Sequence, residues 1–130
     1  LDLMCSPGFP QSEVGALREM VWHAQCMGRI GNLLSTWQRE VADRDFTSGV
    51  FARALISGDV TLETLAHGDA RELESAVRRG NHEAFFLEKW FEHRRSCHAL
   101  ASHVHGCDLT PVLEGHDRFF AMHLGSRGQI

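Results

Sequence analysis

Residues 12 to 41 read SEVGALREMVWHAQCMGRIGNLLSTWQREV, and the fold turns on the period of their apolar and small positions. Val14, Leu17, Val21, Ala24 and Gly28 return at intervals of three and four, the spacing of one helical face. Ser12 stands immediately ahead as an N-cap. The stretch predicts one helix of about 28 residues, close to 40 Å at ~1.5 Å per residue, which is long for a globular domain.

On the upstream side, residues 6 to 13 (SPGFPQSE) carry two prolines and a glycine and read as a loop. Downstream, DRDFT at 43 to 47 forms a break, and SGVFARALIS predicts a short helix that ends at Gly58-Asp59. Thr61 caps a turn running through Ala66, and Asp69 caps a helix over 70–79. Gly80-Asn81 ends that helix and starts another, which is expected to run to Gly106. Thr110-Pro111 opens the last helix, with proline at its favoured first position, and it runs toward Gly125. No strand alternation, internal repeat or low-complexity tract competes. The expectation is an all-α helical bundle, either a single domain or the C-terminal piece of a larger one. The opening Leu-Asp-Leu-Met, which lacks an initiator methionine, favours the piece.

The composition excludes several classes. The chain has 130 residues, 43% of them hydrophobic and 23% charged, which is ordinary for a folded soluble domain. A net charge of −4 without a basic, aromatic-interleaved patch argues against nucleic acid. No apolar run approaches the ~20 residues of a membrane span, and no signal peptide is expected from the opening residues. Cys5, Cys26, Cys97 and Cys107 lack CxxC spacing, so reduced thiols in a cytoplasmic protein are expected.

Within the long helix, Asn32, Thr36 and Glu40 fall four residues apart and make one gently spiralling stripe. Helical side chains lean toward the N-terminus, so Glu40 reaches back toward Thr36 and Asn32. An amide, a hydroxyl and a carboxylate oxygen then converge on one point. Mg2+ takes such hard oxygen ligands and commonly completes its shell with water and substrate phosphates. Arg39 beside the acid and Arg29 one turn before Asn32 add positive charge for an anion.

The stretch RIGNLLSTWQRE, residues 29 to 40, resembles the second metal-binding motif of class I terpene synthases, (N/D)Dxx(S/T)xxxE. That resemblance implies Asn32, Thr36 and Glu40 as ligands of one Mg2+, with Arg39 in place of the diphosphate-contacting lysine. Leu33 stands where the family carries a second acid. Arg118-Phe119 resembles the family's C-terminal Arg-Tyr pair, so Arg118 is expected at the diphosphate, with Arg127 competing for the role. The likeness covers only the C-terminal portion of such an enzyme. The seven aspartates (2, 43, 45, 59, 69, 108 and 117) include no adjacent pair, so the aspartate-rich motif is expected on a missing N-terminal half.

The implied reaction is that of a terpene cyclase, a carbon–oxygen lyase that ionises and cyclises a linear prenyl diphosphate. Its homodimeric habit is a further expectation from the resemblance. A chain-elongating prenyltransferase would carry a second aspartate-rich motif in place of NLLSTWQRE. The alternative from another class is a non-catalytic helical module that binds metal or a partner.

The remaining residues read more plainly. Trp22, Trp37, Phe46 and Phe51 suit core packing before a cavity wall. Phe85, Phe86, Trp90 and Phe91 read as the buried face of the late helix. Cys97, His98, His103, His105 and Cys107 crowd together, but with no i, i+4 pair inside the expected helix and no CxxC pair they read as solvated groups near a helix end, not a zinc site. No ExxH pair supports a di-iron bundle. Arg78, Arg79, Arg94 and Arg95 read as solvated helix ends, and Glu72, Glu74 and Glu83 as exposed.

Overall fold

A computed structural model describes residues 5–127. Among them lie six α-helices and no strand: α1 (Val14–Asp43), α2 (Gly49–Ser57), α3 (Leu62–His67), α4 (Ala70–Arg79), α5 (His82–Ala101) and α6 (Thr110–Gly125). None is long and apolar enough to cross a membrane. The all-α expectation holds, and most breaks fall where capping chemistry places them. Thr61 and Asp69 accept from the backbone N–H of Thr64 and Glu72, and Gly58 takes the left-handed conformation after α2.

Three boundaries differ, each for a tertiary reason. Ser12 does not cap α1. It lies in a 3-10 turn over Gln11–Glu13, and Glu13 takes the cap position without a side-chain capping bond. The Glu13 carboxylate instead accepts from the N–H groups of His105 and Gly106, both at 2.8 Å. Those bonds hold its pKa below the usual carboxylate value, with the Gly106 bond the largest cause. The second difference is that α5 stops at Ala101, not Gly106. The chain leaves the helix there so that Val104 and Leu109 enter the core. The third is that Asn81, with φ 53°, carries the break before α5. Gly80 is required for another reason, since a Cβ there would overlap His82 and Asp59.

α1 is the axis of the fold. Its buried seam runs Leu17, Met20, Ala24, Met27, Gly31, Leu34, Trp37 and Val41, in steps of three and four. Val21, expected on that face, points outward, and the methionines take the positions between. Helix α5 runs antiparallel to α1, pairing Cys97 with Met20 and Glu83 with Trp37. Helix α6 runs parallel to α1, with Phe120 and His123 set against Gly31. One core cluster joins α1, α5 and α6, and a second joins the C-terminal part of α1 to α2, α3 and α4. Leu33 and Phe86 pack against both.

Candidate functional site

One flank of α1 carries the predicted stripe. Thr36 is buried, Glu40 partly buried and Asn32 exposed. The Thr36 Oγ1 hydroxyl lies 2.6 Å from Glu40 Oε1 and 3.0 Å from the Asn32 carbonyl oxygen. One hydroxyl proton serves one acceptor at a time, and either choice leaves the Thr36 lone pairs free for a ligand. Glu40 Oε2 is buried without a hydrogen-bond partner among the described residues. The structure therefore brings Thr36 and Glu40 together. Asn32 joins them through its backbone oxygen, while its residue stays exposed.

The predicted arginines separate. Arg29 is exposed and has no carboxylate of the described residues within ion-pairing distance. Arg39 turns to solvent, 3.9 Å from Asp43. Arg118 pairs with Glu114 at 3.9 Å and stands two residues from Phe120, the buried contact with α1, so it projects from the outer side of α6. Arg127 is placed differently. It reaches Glu83 Oε2 at 3.8 Å, and Glu83 Oε1 accepts from Trp37 Nε1 at 2.6 Å. Of the two competing C-terminal arginines, Arg127 is the one beside α1.

Next to the stripe, α1 and α5 enclose an open apolar groove of about 430 Å³. Cys26, Arg29, Ile30 and Leu33 line one wall, and Phe85, Phe86, Lys89 and His93 the other. Arg29, Leu33, Thr36 and Glu40 succeed each other by four, three and four residues, so groove and stripe share one flank of the helix. Arg53 of α2 lies over the Phe85 ring at 4.1 Å, and Lys89 pairs with Glu92 at 2.7 Å. That bond lowers the Glu92 pKa.

Several sequence expectations change here. Phe85 and Phe86 are groove walls and Phe91 is exposed, so only Trp90 of that aromatic stripe is buried. Trp37 and Phe51 are core and Phe46 packs against core, as expected, whereas Trp22 is exposed beside His23 and His93. Glu83 is not a free surface acid, and Arg94 is no solvated helix end. Arg94 forms a two-pronged bond to Asp117, both arms 2.7 Å, tying α5 to α6. Cys97 is fully buried, its thiol pushed up to about 11 by burial. Among the described residues no three His, Cys, Asp or Glu side chains group as metal ligands. The groove itself gave no signal in the sequence, because aromatic residues at these spacings serve core and cavity alike.

No protein family, curated protein or solved structure matches this chain.

Proposed function

We propose that this chain is the C-terminal part of a class I terpene synthase, a Mg2+-dependent lyase acting on a linear prenyl diphosphate. In this reading Asn32, Thr36 and Glu40 hold one Mg2+, Arg29 contacts the diphosphate, and the groove from Leu33 to His93 takes part of the prenyl chain. The observation that carries it is Glu40 Oε2, a carboxylate oxygen buried without a donor beside a hydroxyl at 2.6 Å from its twin. An orphaned buried acceptor is unfavourable by about 1–3 kcal/mol, more when charged, and a cation removes that penalty. The donor set of amide, hydroxyl and carboxylate oxygens fits Mg2+.

When bound, Mg2+ supplies positive charge that stabilises the departing diphosphate. Arg29 adds a fixed cation at the mouth of the groove, and Arg127 is a second candidate once it leaves Glu83. Ile30, Leu33, Phe85 and Phe86 offer a reactive cation an apolar wall, and the aromatic faces stabilise it. The aspartate-rich motif and the remaining metal ions belong, in this proposal, to an upstream half of the enzyme.

A second reading keeps one observation in its favour. The Thr36 hydroxyl and Glu40 Oε1 pair within one helix, as they would in a helical module without catalysis. Titrating the chain with pyrophosphate, with and without Mg2+, separates the two. The synthase reading expects Mg2+-dependent binding that Glu40→Gln weakens roughly tenfold or more, while Glu72→Gln leaves it unchanged. Equal and negligible effects of the two substitutions favour the module.

A further inference from the structure

We propose that His23 and His93 form a proton-operated joint between α1 and α5, sharing one Nδ1 proton while either ring is neutral and parting when both rings become imidazolium. The two Nδ1 atoms stand 2.7 Å apart, with ring centroids at 5.0 Å and planes tilted by 51°. So short a separation requires one hydrogen between the nitrogens. With none, two lone pairs face each other, and with two, both N–H groups compete for the same space. One ring is therefore the Nδ1–H tautomer, and the other accepts through Nδ1 and carries its proton on Nε2.

The surroundings give a second imidazolium little support. On α5, Lys89 and Glu92 flank His93 but pair with each other at 2.7 Å, so their fields largely cancel. On α1, Trp22 packs edge-on against both rings, and Cys26 and Arg29 line the same groove as His93. No carboxylate of the described residues lies within ion-pairing distance of either imidazole. Burial, followed by the neighbouring His23, pushes the His93 pKa below its ordinary value. One added proton takes the free Nε2 and leaves the Nδ1–H···Nδ1 bond in place. A further one makes both rings imidazolium, sets two N–H groups face to face and is relieved by separating the rings. Because His93 is part of the α5 wall, that separation widens one end of the groove.

Long-range 15N correlation spectra of the histidine rings test this on the full chain. At pH 7.5 the expected pattern is one Nδ1–H and one Nε2–H tautomer for the two residues. On acidification His93 should titrate below the ordinary imidazole value, and His23→Gln should move its midpoint up by about one pH unit. A His93 midpoint that His23→Gln leaves in place overturns the proposal. So does finding both rings as Nε2–H tautomers in the unsubstituted chain, a reading that does not depend on the variant folding.

Discussion

Glu40 holds its two oxygens in different settings, one against the Thr36 hydroxyl and one buried without a donor. Stability and ligand binding should therefore respond oppositely to one substitution. In Glu40→Gln the amide keeps an oxygen for Thr36 and removes a partly buried charge. Urea denaturation without metal should show the variant as stable as the parent or more so, by up to about 1 kcal/mol, even where Mg2+-dependent pyrophosphate binding is lost. A clear destabilisation would assign Glu40 to the scaffold instead. Glu83 is the contrary case. Its Oε1 accepts from the indole of Trp37, a residue only 1% exposed, so Glu83→Ala strands a buried donor. That change should destabilise by about 1–3 kcal/mol in the same assay, and it also frees Arg127 from its present partner.

At the scale of the helices, glycine substitutions separate local propensity from packing. Gly15 and Gly28 lie inside α1 with nothing within 4 Å of an added Cβ. Alanine at either should stabilise by about 0.5–1 kcal/mol, because the unfolded chain loses freedom and the helix gains a better former. Gly58, at φ 77°, should lose roughly 1–2 kcal/mol as alanine. Thermal or urea unfolding of the three variants reads the sign directly, and a stabilised Gly58→Ala would contradict the left-handed cap. The same elements show what a sequence can state. Thr61, Asp69, Gly58 and the Thr110-Pro111 pair end or begin helices by chemistry local to a few residues, and they do so as expected. Ser12 and the end of α5 were not legible, because Glu13 bonds residues some ninety positions away and Val104 leaves the helix to reach the core. Arg94 was equally opaque, since nothing near it in sequence announces Asp117.

Across the whole molecule, the stripe on α1 was legible because a spacing of four residues fixes one flank of a helix. The groove beside it was not, because it exists only once α5 docks antiparallel and turns Phe85, Phe86 and His93 toward Ile30 and Leu33. The same docking creates a pH dependence absent from composition. His82, His93 and His123 come from different contacts yet share one direction. Burial is the leading cause for each, reinforced by Arg53 at His82 and by His23 at His93. Each therefore has a folded-state pKa below its unfolded value near 6.5. Between those two values the unfolded chain binds more protons, so the sign is fixed: stability rises with pH. Above pH 6.5 this contribution is fully present, and it is lost as the pH falls through the unfolded pKa toward the folded ones. The urea midpoint should be lower at pH 5 than at pH 7.5. Replacing His93 with Gln should shrink the difference, because one of the three groups that take up protons on unfolding is then gone. A midpoint that stays level or rises on acidification would mean that these imidazoles reach solvent in the folded chain, and that the α1–α5 seam is not closed around them.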